Sequence, residues 1–198
     1  MRWAMSRVIF ALLIVAGLAA CGGGGSVAVS DMDDACAIVT AKPSYKRAFR
    51  AAERRWGVPV HVQMATIYHE SRFRARARTP LRFALGVIPM GRQSSAYGYA
   101  QALDGTWDEY RDETGRRGAR RHNIRDAADF IGWYMDKSHE VLGISKSDMR
   151  NQYLAYHEGR GGYARRSYRA KSWLVRIADQ AARRAVVYES QLASCRRF

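Results

Sequence analysis

Long apolar stretches are scarce in this 198-residue chain. The only one covers residues 8–20, too short for the roughly 20 residues that a helix needs to cross a bilayer, so a protein with several membrane spans is excluded. The chain also has just four prolines and no internal repeat, while 47% of its residues are hydrophobic and 26% charged. This composition excludes collagen-like, low-complexity and wholly disordered proteins, and it predicts one compact domain.

Acidic residues are also few. Against 33 lysines and arginines the chain has 18 aspartates and glutamates, which gives a net charge of +15. The arginine pairs are scattered along the sequence and do not form one basic tract. This distribution favours a generally cationic, soluble surface over a dedicated nucleic-acid-binding segment.

The first twenty residues have the three-part layout of a secretory signal, with two arginines, the apolar run and small residues at its end. The sequence LAAC at residues 18–21 resembles the lipobox of bacterial lipoproteins, in which cleavage before the cysteine leaves its thiol to carry a diacylglycerol. We therefore predict a lipoprotein signal peptide over residues 1–20, lipidation of Cys21 and a flexible, glycine-rich tether over residues 21–35. A plain signal peptide with a chance cysteine is the alternative.

Gly22, and not an aspartate, follows the predicted lipidation site. In lipoproteins this implies sorting to the outer membrane, so the expected location is its periplasmic face, with the lipid as the membrane anchor. An exported protein meets lipid head groups and the carboxylates of cell-wall peptides. Loss of the leader removes two arginines and no acid, so the mature chain keeps a charge of +13. We therefore expect it to bind lipid head groups and the carboxylates of the cell wall, and no nucleic acid.

Cysteine is rare, with three residues in the whole chain. With Cys21 assigned to the anchor, Cys36 and Cys195 remain, one near each end of the mature chain. We predict a disulfide between them because the export signal points to an oxidising compartment; two buried free thiols are the alternative. Two cysteines far apart in sequence do not make a metal site, and neither a metal nor another cofactor is predicted.

Helical spacing dominates the rest of the chain. Apolar residues at i, i+4, i+7 and i+11 predict a helix over 44–56 that stops at Gly57, and a second over 60–72 that carries Glu70 in its last turn. Residues 74–95 lose this periodicity and predict a long loop with a short hairpin. Further helices are predicted over 106–114, 126–142, 147–156 and 171–192. Four tryptophans are assigned to the core: Trp56, Trp107, Trp133 and Trp173.

Three short segments carry candidate chemistry: HES at 69–71, AYGYAQ at 96–101 and AYHEG at 155–159. In this order they resemble the signature motifs of lytic transglycosylases with the soluble-lytic-transglycosylase (SLT) fold, relatives of goose-type lysozyme. Those motifs are a helix-terminal Glu-Ser, a glycine-led motif ending in Gln, and Ala-Tyr-Asn-x-Gly. The resemblance covers about residues 44–190 and implies a mainly α, lysozyme-like fold, with an SLT-type domain over residues 36–198.

Glu70 is the candidate catalytic residue. Breaking a glycosidic bond needs a carboxylic acid that is still protonated near neutral pH, and partial burial at a helix end raises the pKa of a glutamate in that way. The resemblance implies that Glu70 protonates the β-1,4 MurNAc-GlcNAc bond of peptidoglycan and then, as a base, takes a proton from the C6 hydroxyl of the muramic acid. That oxygen attacks C1 and closes a 1,6-anhydro ring, without water and without the second carboxylate that most glycosidases use.

The resemblance also implies substrate-binding roles around this acid. Ser71 would hydrogen-bond near it, Gln101 would hold the sugar beside the cleavage point, and Tyr156 would support the acid. Tyr97 and Tyr99 would offer flat faces to sugar rings, and buried loop aromatics are the alternative for this pair.

The third motif departs from the common pattern at His157, where the family has asparagine, and Glu158 follows it. His157 can still donate one hydrogen bond. Glu158 either acts as a second carboxylate that favours hydrolysis or forms a structural salt bridge to an arginine. Two other functions therefore stay open, a lysozyme-type hydrolase of the same bond and a non-catalytic peptidoglycan-binding lipoprotein. In each case we expect a monomer that binds peptidoglycan glycan strands.

Overall fold

The computed structural model describes residues 32–196 and 198, so the predicted signal peptide, Cys21 and most of the predicted tether lie outside the described residues. The part described is mainly helical, which confirms the predicted fold class, and none of its helices is long and apolar enough to span a bilayer. The elements are α1 Ala35–Ala41, α2 Pro43–Trp56, α3 Val60–Ser71, β1 Leu81–Ala84, β2 Ile88–Arg92, α4 Asp104–Thr114, α5 Ile124–Leu142, α6 Met149–Ala164, a 3-10 turn Ser167–Ala170 and α7 Ser172–Ser194.

Helix α2 illustrates how local sequence sets the bounds of a helix. Pro43 occupies its first turn, where the N–H that proline lacks has no intrahelical partner in any case. Its buried face carries Tyr45, Phe49 and Ala52 at the predicted helical spacing. The helix ends at Gly57, whose φ of 70° lies in the left-handed region that glycine adopts without steric cost.

Helix α5 runs through the core and packs against α2, α4 and α6. Phe130, Trp133 and Met135 on this helix are almost completely buried. Gly132 faces the indole of Trp56, and a Cβ atom at this glycine would lie 2.5 Å from Cδ1 of the tryptophan. The missing side chain therefore permits the close approach of α2 and α5.

Helix α7 closes the fold by packing on α3, α6 and α1. The Tyr188 hydroxyl, buried on α7, donates a hydrogen bond to the carbonyl of Met32, just before α1. The structure contains the predicted disulfide between Cys36 and Cys195, with 5.6 Å between their Cα atoms. The first and last helices of the described chain are thus joined both covalently and by packing.

Three features differ from the sequence-based expectations. Helix α1 and the 3-10 turn were not predicted, because seven and four residues are too few to display a helical period. Helix α6 continues past the predicted end at Tyr156 to Ala164, with a break at Gly159, whose φ of 73° and ψ of 156° are not helical. The core assignment of Trp173 is wrong, since this residue is 45% exposed on α7, whereas the other three assigned tryptophans pack in or against the core.

The long loop after α3 contains the predicted hairpin. Strands β1 and β2 are antiparallel, with Leu81 opposite Arg92 and Ala84 opposite Ile88. The N–H of Val87 donates to the carbonyl of Ala84 and closes the turn. Nearly every residue of the two strands is exposed, so both faces of this small sheet are open.

Candidate active site

Glu70 lies in the last turn of α3 with its side chain partly buried. Burial raises its pKa from 4.5 to about 7, and a hydrogen bond from Tyr153 opposes the rise. The C-terminal end of a helix also disfavours a negative charge, because its last carbonyls point outward. A large fraction of Glu70 is therefore protonated near neutral pH, which is the state that a general acid needs.

The chain reverses sharply after this helix. Arg72 and Phe73 both adopt left-handed backbone angles, with φ of 52° and 55°. Such angles cost free energy for residues other than glycine and persist only where packing holds them. Phe73 supplies that packing, because it is buried and its ring stacks on Tyr45 with 5.9 Å between centroids. The reversal directs the following loop toward the second motif.

The second motif forms a tight loop in which only glycine fits at position 98. Gly98 has a φ of 83°, and a Cβ there would lie 2.2 Å from the carbonyl oxygen of Arg121. The side-chain amide of Gln101 donates to the carbonyls of Ala77 and Gly98 at 3.0 and 2.8 Å. Both amide hydrogens are thereby used within the protein, so the amide oxygen remains to accept from a sugar hydroxyl or an N-acetyl N–H.

Tyr156 joins the third motif to the second. Its hydroxyl donates to the carbonyl of Ala100 at 2.6 Å, and its ring meets Tyr134 edge-on at 5.0 Å. Burial and the nearby charge of Glu70 raise the pKa of Tyr156 well above its usual value, so it remains a neutral phenol. The third motif therefore contacts the second motif, and its Tyr156 lies close enough to Glu70 to interact with the charge of that residue.

A cavity of about 210 Å³ opens between α4, α5, α6 and the second motif. Its lining includes Gln101, Tyr156, His157 and Glu158, together with Thr106 of α4. We call it the motif cavity, because it brings the second and third motifs together.

Two predicted substrate contacts are buried. Ser71 is 1% exposed, and its hydroxyl donates to the carbonyl of Ile67 at 3.2 Å, so this hydrogen bond stays within the last turn of α3. Tyr99 is 7% exposed, and its hydroxyl is hydrogen-bonded to that of Tyr45 at 2.9 Å. Both residues support the loops of the site from inside the fold.

Tyr97, unlike Tyr99, lies near the surface of the protein. It is partly exposed, and the guanidinium of Arg78 lies 4.3 Å from the centre of its ring. Together with His122 it lines a separate cavity of about 480 Å³. The structure therefore does not place it with Gln101 in the motif cavity.

The two unusual residues of the third motif have different surroundings. Glu158 has a side chain that is 3% exposed, and it accepts hydrogen bonds from Ser167 and, at 2.7 Å, from Lys171. Burial raises the pKa of this carboxyl, but hydrogen bonds from Lys171, Ser167 and His157 outweigh it and the net pKa is lowered. Glu158 is thus an ionised partner in a salt bridge to a lysine, whereas the sequence suggested an arginine. His157 is exposed, and its ring lies edge-on to Trp173 at 5.2 Å.

Sequence reasoning missed Tyr153, the residue that hydrogen-bonds to Glu70. It is buried on α6, and its ring contacts that of His69 at 5.8 Å. The available signal was its position three residues before Tyr156, which puts both phenols on one face of the helix. Burial and two nearby arginines lower the pKa of His69 to about 4, so this neighbour of the acid is neutral.

The raised pKa of Glu70 makes stability depend on pH. Between pH 4.5 and 7 the folded chain binds more protons at this site than the unfolded chain, so stability falls as the pH rises. We expect Glu70→Gln to exceed the wild type in free energy of unfolding by about 3 kcal/mol at pH 8, an advantage that disappears by pH 4. Urea unfolding across this range measures it, with Glu140→Gln, an exposed glutamate of α5, as control. Equal stability of wild type and Glu70→Gln at pH 8 would contradict the raised pKa.

The helical fold, with a protonatable glutamate at the end of a buried helix, is consistent with the predicted lysozyme-like domain. Within residues 32–196 and 198, no group of three or more histidine, cysteine, aspartate or glutamate side chains is placed to hold a metal ion. The sequence profile of the Transglycosylase SLT domain family matches residues 9–195. The chain therefore belongs to this family of peptidoglycan lytic transglycosylases, which act in the periplasm. No curated protein matches the sequence.

Proposed function

We propose that this protein cleaves the β-1,4 bond between MurNAc and GlcNAc of peptidoglycan and leaves a 1,6-anhydromuramyl end. The observation that carries the proposal is the environment of Glu70, whose pKa of about 7 results from burial and a single hydrogen-bonding phenol. Among the described residues, no second carboxylate contributes to that pKa. One group with a pKa near neutrality serves both as the acid and as the base.

The reaction then has two steps. Protonated Glu70 donates its proton to the glycosidic oxygen, and the bond from that oxygen to C1 of the muramic acid breaks. Tyr153 donates its hydrogen bond to the carboxylate that remains and stabilises it. The carboxylate next removes the proton of the C6 hydroxyl, the C6 oxygen attacks C1, and the anhydro ring closes. Glu70 is protonated again at the end, and no water is consumed.

We propose that the motif cavity, whose lining includes Gln101 and Tyr156 but not Glu70, supplies binding contacts for the glycan strand. Gln101 presents its amide oxygen, since its two hydrogens are held by the loop backbone. His157 reaches the rim with its imidazole beside Trp173, where a ring nitrogen is able to donate one hydrogen bond. Glu158 fixes the corner between α6 and α7 through Lys171, a structural role that leaves Glu70 as the sole reacting carboxylate.

Mass spectrometry of the muropeptides released from purified peptidoglycan tests the proposal. We expect reducing ends that are one water lighter than hydrolysis products. Reducing ends that carry the added water of hydrolysis would identify a lysozyme-type hydrolase. No release at all would identify a binding protein.

The product should stay the same in Glu158→Gln. This variant loses the ion pair with Lys171 but keeps the size of the side chain, so we expect a loss of about 1 to 2 kcal/mol in the free energy of unfolding. The anhydro ends should still form, because the proton transfer runs through Glu70 alone. Thermal unfolding and product mass are measured on the same preparation. A folded variant that no longer forms anhydro ends would show that Glu158 takes part in the chemistry.

The proposal includes the placement of the enzyme in the cell. Residues 1–20 are the signal peptide, residues 21–35 the tether and residues 36–198 the catalytic domain, anchored as a monomer to the periplasmic face of the outer membrane by a diacylglycerol on Cys21. The export layout and the LAAC sequence support this arrangement. The intact mass of the protein isolated from membranes should include the lipid.

A further inference from the structure

The hairpin formed by β1 and β2 exposes an unusual amount of apolar surface. Six large hydrophobic side chains in it are 46% to 91% exposed: Leu81, Phe83, Leu85, Val87, Ile88 and Met90. The two strands pack on each other and leave both faces open. An isolated two-stranded hairpin is marginally stable in water, so this one gains most from a surface that covers its apolar side chains. We call residues 79–94 the hairpin arm.

The turn of the hairpin arm presents the most exposed of these side chains. Leu85 and Gly86 both have positive φ, at 51° and 75°, as in the tight turns that usually carry asparagine and glycine. Leucine is disfavoured at this backbone angle. Burial of the side chain does not compensate for that cost here, because Leu85 is 91% exposed. The sequence thus places a large aliphatic side chain at the exposed turn of the hairpin, against local backbone preference.

Positive charge surrounds the hairpin arm. Residues 71–103 contain no aspartate, glutamate or lysine and carry six arginines: Arg72, Arg74, Arg76, Arg78, Arg82 and Arg92. The next acid along the chain, Asp104, pairs with Arg121 at 2.7 Å. The arm therefore combines an apolar tip with a strongly cationic base.

We propose that the hairpin arm docks this protein on the surface of a bilayer that contains anionic lipids. The aliphatic tip enters the boundary between head groups and acyl chains, and the arginines bind the phosphates above it. Five of the six exposed apolar side chains are aliphatic, whereas sugar rings are held mainly on aromatic faces, so the chemistry favours lipid over a glycan strand. The proposal holds whether or not Cys21 carries a lipid.

The base of the arm is connected to the motif cavity. The Thr79 hydroxyl donates a hydrogen bond to the Ser94 carbonyl across the arm, and Arg92 donates to the Thr79 carbonyl at 2.6 Å. Two residues further toward the core, Ala77 accepts the hydrogen bond of Gln101. Docking of the arm would therefore hold the motif cavity at a fixed height beside the membrane.

Hydrogen exchange of the full chain tests the proposal, with vesicles of phosphatidylglycerol and phosphatidylethanolamine against vesicles of phosphatidylcholine alone. Backbone amides of residues 81–92 should exchange at least tenfold more slowly with the anionic vesicles. The protection should be absent with phosphatidylcholine and in 0.5 M salt, where a Debye length of only a few ångströms screens the arginines.

Two paired variants separate the apolar and the electrostatic contributions. Leu85→Ser with Val87→Ser should abolish the protection. Arg76→Gln with Arg82→Gln should weaken vesicle binding through the arm about 25-fold, at about 1 kcal/mol for each arginine. Val186→Ser with Val187→Ser removes two exposed valines of α7, 65% and 47% exposed, and should leave the protection intact.

Several outcomes would overturn the proposal. Unchanged exchange of residues 81–92 in chains that sediment with anionic vesicles would show that the arm stays in water. Equal protection by phosphatidylcholine would remove the role of charge. Protection that appears without vesicles, on raising the protein concentration or on adding glycan strands, would assign the arm to a second copy of the chain or to the substrate.

Discussion

Glu70→Gln is expected to lower the turnover of peptidoglycan by 10²-fold or more. Glutamine keeps the size of the side chain and accepts the hydrogen bond of Tyr153, but it can neither donate a proton to the glycosidic oxygen nor take one from the C6 hydroxyl. Both steps of the proposed reaction lose their proton carrier, and general acid and base catalysis typically contributes 10² to 10⁴ in rate. Release of soluble muropeptides from purified peptidoglycan measures the effect.

Two further measurements distinguish lost chemistry from lost structure. Sedimentation with insoluble peptidoglycan should show that Glu70→Gln still binds, and its melting temperature at pH 8 should be at least that of the wild type, because burial no longer opposes a charge at this site. The control Glu140→Gln should retain full turnover. Turnover of Glu70→Gln within a few-fold of the wild type would exclude this residue from the mechanism.

Removal of the disulfide is expected to have the largest effect on stability. The bridge closes a sequence separation of 159 residues, for which chain-entropy models give roughly 5 kcal/mol as an upper figure. Cys36→Ala with Cys195→Ala should therefore lower the melting temperature by on the order of 10 °C. Turnover at 25 °C should stay within about twofold, since neither cysteine lines the motif cavity.

The noncovalent contacts between α1 and α7 explain why the fold should persist without the bridge. The N–H of Ala35 donates to Gln191 at 2.8 Å, and Asp33 pairs with Arg184 at 2.8 Å. Ser194→Ala, next to the bridge on α7, serves as a control that should melt with the wild type. Equal melting temperatures of the double cysteine variant and the wild type would show that the bridge adds no stability.

The sequence by itself determined the helices that display a full period and a clear end. Gly57, Gly115 and Gly143 each terminate a predicted helix, and each has a φ near 70° in the structure. These ends are local, because glycine adopts left-handed angles that other residues avoid. The sequence also located Glu70 in the last turn of its helix, since the helical spacing of α3 continues as far as Ser71.

The partners that the candidate site residues find in distant segments could not be predicted from the sequence. The partner of Glu70 is Tyr153, 83 residues further along the chain, and only the packing of α6 against the end of α3 brings the two together. The same applies to Glu158, whose role follows from Lys171 reaching it across the bend at Gly159.

Tertiary structure alone also decided which aromatic side chains are accessible. Tyr97 and Tyr99 stand two residues apart in one motif, yet Tyr99 is buried against Tyr45 while Tyr97 contacts Arg78 near the surface. Trp173 was assigned to the core from its position on α7, but its ring lies against the exposed His157 and it stays 45% exposed. Periodicity shows which residues share a face of a helix. It does not show which of them are buried, because burial depends on what packs against that face.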